Sequence, residues 1–319
     1  MIIERPDDRV LETVFLTNVN LAFPLQARKW LALLQNDPLS GNRIKPNVSR
    51  PAADMGFSFS SNGFGLRGPD KPDAGTVIFG TSFAMGMTVD NGDNWYDGLD
   101  FEDGALNLGL PVGIAEMQNL LEELHTGPRR TAIFLYHPNI WGHEVKFSTL
   151  RGKDVDAFTE FRWSMDLAQA FEKGAKIIGT MSKGKNKNLM IAEVLGQLYL
   201  LNAKYSLFDQ GFVEQTYRPA TKGLVDMLSA FENVLVVRLP TKEELAFSHL
   251  QHPALRELRQ NHLSGWEFFK SQVVEQLPRS EVHEGDCFEL SDYQPCDTHW
   301  NRAGNARMRN LLRSLGYAA

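Results

Sequence analysis

Two cysteines in 319 residues, Cys287 and Cys296, are too few for a disulfide framework, though their number allows one bridge. Long hydrophobic runs are missing too. The longest, TAIFLY and VLVVRL, fall far short of the roughly 20 residues that cross a bilayer. The opening MIIERPDDRVLETVFLTN carries acidic residues early and no continuous apolar core. It reads as a poor signal peptide, so the cytoplasm is the expected compartment. No Lys/Arg block stands out, and the net charge of −6 argues against nucleic acid or an anionic lipid surface as partner. Internal repeats and low-complexity tracts are absent.

What remains is a composition ordinary for a soluble globular chain, 43% hydrophobic and 23% charged, long enough to bury a large core. Residues 1–75 are rich in turn formers, as in NDPLSGNRIKPNVSRPAADMG and NGFGLRGPDKPDAG. One amphipathic helix is expected around LQARKWLALLQ. This part reads as an N-terminal extension packed on a core.

From Gly75 onward the pattern changes. TVIFG, GALNLGL, TAIFLY and NVLVVRLP read as buried strands. PVGIAEMQNLLEELHTG reads as a helix with Pro111 near its start and Gly127 past its end. NRAGNARMRNLLRSLG reads as the final helix. Short apolar strands alternating with helices predict an α/β domain, a parallel sheet covered on both faces, over 76–319. About 141–232 is expected to be an inserted helical cap, with VDAFTEFRWSMDLAQAFEKG and NLMIAEVLGQLYLLNAKY as its clearest pieces. Functional residues of such folds gather beyond the carboxyl ends of the strands.

Four short segments place chemistry there. In VIFGTSFAMG, Gly80 permits a tight turn and Ser82 stands at the mouth of the sheet. Taken alone, such a serine is more often a helix cap than a nucleophile, and a nucleophile needs a base. CDTHWNRAG supplies one candidate: Asp297 and His299 are two apart, so in an extended segment they leave the backbone on one side. A carboxylate there can fix the imidazole tautomer. Asn301 is the expected N-cap of the last helix. In FLYHPNI, Asn139 follows the third strand and can offer an amide N–H to an oxyanion, although a turn asparagine beside proline is the plainer reading. In NLGLPVG, Gly109 or Gly113 can offer a backbone N–H.

The order of these segments resembles the block order of the SGNH (GDSL-like) hydrolase superfamily. GTSFAMG is similar to its GDSxxxG block, NLGLPVG to its N-x-G-x-x-G block, HPN to its asparagine block, and DTHWNRAG to its closing Asp–His block. The resemblance covers about 76–139 and 233–316. It departs at Thr81, where the family has Asp, in the Asp-x-His spacing, and in one extra residue before the second glycine. The D-x-H-W form resembles the branch that moves acetyl groups onto polysaccharides.

The resemblance implies a flavodoxin-like three-layer α/β/α sandwich with a mostly parallel five-stranded sheet. It implies ester hydrolysis or O-acyl transfer through an acyl-enzyme, with no cofactor and an acylated carbohydrate as substrate. Ser82 would be the nucleophile, His299 the general base and acid, and Asp297 its orienting partner. The N–H of Ser82, a glycine N–H (Gly109 or Gly113) and Asn139 would hold the oxyanion. Trp300 and His137 are candidate substrate contacts.

Three other readings compete, one of them a nucleotide or flavin site, for which GTSFAMG lacks both the G-x-G-x-x-G pattern and the Lys of a P-loop. His137, His143, Asp297 and His299 include metal-ligand chemistry, but without a compact spacing such as His-Glu-x-x-His. A catalytically silent carbohydrate-binding protein on the same scaffold would use aromatics such as Trp95, Tyr96, Trp141, Trp163 and Trp300 to stack on sugars.

Overall fold

The computed structural model describes residues 33–37, 41–52, 57–140, 177–183, 186–202, 221–249, 253–277, 279–295 and 298–319. Its centre is a five-stranded sheet built from β5 (Thr76–Gly80), β6 (Ala105–Asn107), β7 (Thr131–Tyr136), β11 (Asn233–Arg238) and β12 (Ser280–His283). The spatial order is β12-β11-β7-β5-β6, and every neighbouring pair is parallel. With these five numbered in chain order the sheet reads 2-1-3-4-5, the doubly wound order of flavodoxin-like folds. The chain reverses its direction of travel across the sheet between β5 and β7. That crevice, at the carboxyl ends of the strands, is where such sheets bind ligands.

The strands have apolar residues on both sides because both faces are covered. Val77 and Phe79 of β5, Ala132 and Phe134 of β7, and Val234 and Val236 of β11 enter one core. It is closed by α1 (Ile114–Leu124), a helical segment over 221–228, and α3 (Pro253–Val274), through residues such as Met117, Leu121, Leu228 and Phe269. The alternate residues Ile78, Ile133, Leu135, Leu235 and Val237 enter the second core. Met308, Leu311 and Leu312 of α4 (Arg302–Ser314) close it, with Trp95, Phe288 and Trp300 from loops. The period of two along each strand thus yields three layers.

The extension contributes the hairpin β1 (Leu34–Asp37) and β2 (Gly41–Ile44), and the short pair β3 (Ser49–Arg50) and β4 (Phe59–Ser60). Most of the helix expected around LQARKWLALLQ lies outside the described residues, but its last two, Leu34 and Gln35, open β1. Leu33, Ile44, Phe57, Phe59 and Leu66 share the first core with Val77 and Phe79. Arg43 pairs with Asp37 at 3.0 Å and with Glu123 of α1 at 2.5 Å.

The expected helical cap is corrected in part. VDAFTEFRWSMDLAQAFEKG lies outside the described residues. NLMIAEVLGQLYLLNAKY, as far as Asn202, is not helical. It supplies β9 (Asn186–Val194) and β10 (Gln197–Asn202), which join β8 (Ile177–Lys183) in an antiparallel sheet of order β10-β9-β8. Leu195 and Gly196 connect β9 to β10 with φ of 52° and 79°. Two consecutive positive φ values are what a two-residue hairpin of the right-handed twist requires. That local turn overrides a helical apolar pattern. β10 lies beside α2 (Lys242–His249), a helix the sequence pattern did not single out.

Candidate active site

β5 ends at Gly80, whose φ of +146° is a conformation few side chains tolerate; a Cβ there would lie 2.9 Å from Ala84 Cβ and 3.0 Å from Leu135 O. The chain turns sharply. Met85 N–H donates to Thr81 O and Met87 N–H to Ser82 O, so the residues after Ser82 wind into helical turns. Gly80 is level with Leu135 of β7, which places Ser82 level with His137 just beyond the strand ends. Among the described residues, the Ser82 N–H donates to no other group.

His299 comes from the far end of the chain. Tyr293 and Trp300 form an antiparallel bridge, and Gln294 N–H donates to His299 O at 2.9 Å, so 299–300 run back alongside 293–294. Asn301 caps α4 as expected, accepting from Ala303 and Gly304 N–H, and its amide also donates to Ser291 O and Tyr293 O. Gly304 is required here: a Cβ would lie 2.5 Å from Asp292 O. The result brings His299 Nε2 to 2.6 Å from Ser82 Oγ, across 217 residues of sequence. With the ring proton on Nδ1, the serine hydroxyl donates to Nε2, which is the geometry of a nucleophile beside its base. Asp297, the expected orienting partner, lies outside the described residues, as do His143, Trp141 and Trp163.

The ring of Phe83 packs against His299 at 5.1 Å between centroids, and against His137 at 4.4 Å, Trp300 at 5.2 Å and Tyr293 at 6.4 Å. It backs the imidazole with a rigid wall. Trp300 is 1% exposed and stacks on Phe288 at 4.8 Å. Its place is the core, and the expectation of Trp300 as a substrate contact is corrected accordingly. His137 is equally buried, with Nδ1 accepting the Asn139 N–H at 3.2 Å. Trp95 and Tyr96 are also interior, holding the turn after Ser82 through Phe83, Ala84 and Met85 carbonyls. These aromatics support the serine turn and are not arranged as an open sugar platform. Among the described residues, no three His, Cys, Asp or Glu side chains gather as a metal site.

The two glycines after β6 differ. Gly109 N–H is held by Asn107 Oδ1 at 2.9 Å, and a Cβ on Gly109 would lie 2.6 Å from both Ala84 Cβ and Met85 N. Gly109 therefore lets the two loops touch. Gly113 stands at the N-cap of α1, where the helix N–H groups begin. Asn139, half-buried, opens a helical turn beyond β7 at the same sheet edge.

Residue-by-residue reading of the sequence missed three supports. Asn107, fully buried, bridges the loops by donating Nδ2–H to Ala84 O at 2.9 Å. Thr88 Oγ1 reaches Trp300 O at 3.3 Å, tying the serine turn to the histidine loop. Arg67, in the extension, donates to Gly86 O, to Val89 O at 2.7 Å and to Ser58 O at 3.1 Å. Burial lowers the pKa of its guanidinium. The only sequence signal was a cation amid the glycines of NGFGLRG. Compared with protein-family models and with curated proteins, the sequence finds no match in either.

Proposed function

We propose that the protein is a serine-dependent acyl-ester hydrolase or O-acyltransferase. One observation carries the reading: a buried serine at the switch point of a doubly wound sheet, with an imidazole Nε2 at 2.6 Å from its Oγ. Ser82 Oγ attacks the ester carbonyl carbon while its proton passes to His299 Nε2. The tetrahedral intermediate collapses, the alcohol leaves with that proton, and an acyl-Ser82 remains. Water or a sugar hydroxyl then attacks, giving its proton to His299, and Ser82 is restored when the histidine returns it.

Asp297 takes the place beside Nδ1 in this scheme, on the strength of its spacing and the SGNH resemblance. The scheme assigns the developing oxyanion to the Ser82 N–H and to Asn139, the latter by the SGNH resemblance. Gly113 is preferred over Gly109 as third donor because Asn107 already holds the Gly109 N–H. An acylated carbohydrate is the proposed substrate, again by the resemblance.

Intact-protein mass after incubation with a serine-directed fluorophosphonate tests the reading. One adduct is expected on wild type and none on Ser82→Ala or His299→Ala. A folded wild type that takes no adduct, or a His299→Ala variant labelled at the wild-type rate, overturns it.

A further inference from the structure

The first turn of α2 carries Lys242, and its surroundings run against what a lysine favours. It is 1% exposed. A buried ammonium is costly unless its protons are matched, and the N-terminal turn of a helix is the positive end of the helix dipole. Thr241 precedes it, with Oγ1 accepting the Glu244 N–H at 3.0 Å, so the helix start is fixed and Lys242 cannot slide outward along it.

The ammonium is matched by the histidine loop. Lys242 Nζ donates to Gln294 O and to Pro295 O, each at 3.1 Å. Gln294 in turn donates its N–H to His299 O at 2.9 Å. Lys242 is thus one residue removed from the backbone of the imidazole that meets Ser82. The same corner grips the loop again, because Tyr293 O–H donates to Pro240 O. The corner is itself stiffened by the ion pair of Arg238 with Glu244 at 2.5 Å.

We propose that Lys242 is a positioning residue for the Ser82–His299 pair, holding the loop at Gln294–Pro295 so that His299 Nε2 stays within hydrogen-bond reach of Ser82. This rests on the serine acyl-transfer reading. Two neighbouring carbonyls turned toward one ammonium fix both the path and the twist of the loop, which apolar packing alone does not do. A shift of about 1 Å at the base is enough to cost an enzyme on the order of a hundredfold in rate.

The test compares wild type, Lys242→Met and Lys242→Gln in fluorophosphonate labelling, followed by intact mass, with circular dichroism to confirm folding. Lys242→Met keeps an unbranched side chain one atom shorter and loses all its donors; it is expected to lower the maximal inactivation rate at least tenfold. The probe concentration for half-maximal rate should stay within twofold, and labelling should still run to completion. Lys242→Gln, which retains an amide donor, should fall between Lys242→Met and wild type. A role limited to stability would reduce the labelled fraction and leave the rate of the folded molecules unchanged. Labelling of either variant at the wild-type rate overturns the proposal, and Lys242→Gln carries the same criterion if Lys242→Met does not fold. Hydrogen exchange at the Gln294 amide tests the loop tie without the chemistry: it should accelerate in the variants, and an unchanged rate overturns the tie. Failure of wild type to label would instead overturn the serine reading itself.

Discussion

At the scale of single residues, the site depends on small groups that let loops touch. Asn107 is the clearest. Its amide serves Ala84 O and Gly109 N–H at once, and both are buried. Asn107→Ala should leave the buried Gly109 N–H unpaired and the Ala84 carbonyl with only the Trp95 indole as donor, at a cost of about 1–3 kcal/mol. The expected outcome is a lower Tm together with slower labelling of Ser82, read by thermal melting and by labelling kinetics; a loss of Tm with unchanged kinetics would separate Asn107 from the serine turn. Ser82, Gly80, His299 and the cap Asn301 were all legible from their spacing and the turn chemistry around them. Asn107 was not, since its role needs the Ala84 carbonyl brought across from another strand end. Lys242 was hidden for the same reason: a lysine in a first helical turn reads as solvated until the loop from 294 is folded onto it.

At the scale of elements, strands and helices around the sheet were readable wherever period and length agreed. TAIFLY became β7 residue for residue, and the final helix begins one residue after its predicted cap. The hairpin of β9 and β10 was misread because its two-residue connection, Leu195–Gly196, carries an apolar residue in a position usually held by Asn or Asp. β12, SEVH, offered no apolar run at all, as befits a half-exposed edge strand. The junction of β4 with the loop after Ser82 carries its own prediction. Ser58 N–H donates to Asp90 Oδ1 at 2.6 Å, and the Ser58 backbone and side-chain bonds hold the Asp90 carboxyl below its ordinary range. A depressed carboxylate contributes stability that is complete above the unfolded value of about 3.9 and is lost as pH falls through the lower folded value. Thermal melts of wild type should therefore drop more steeply below about pH 4 than those of Asp90→Asn; parallel curves would contradict this. Solvent screens Asp90, so the difference is expected to be small.

At the scale of the whole molecule, the N-terminal extension and the sheet meet at Arg67. Its guanidinium holds carbonyls from both the extension and the turn after Ser82, and lies over the rings of Phe57 and Phe59 at 5.7 and 5.0 Å. Arg67→Met should strand those carbonyls and lower stability by at least about 3 kcal/mol, by analogy with losing one side of a buried charged network. Chemical denaturation checks the magnitude. Labelling of the fraction that remains folded checks whether the serine turn moves with it, and a loss below about 1 kcal/mol would mean the carbonyls find other donors. The pairing of Ser82 with His299 across 217 residues has a consequence in time. At roughly 5–20 residues per second, the ribosome completes His299 about 10–40 s after it has made Ser82. Throughout that interval the growing chain holds Ser82 without the imidazole that meets it in the folded molecule, so the pair forms only once His299 has been made and the loop that carries it has folded back.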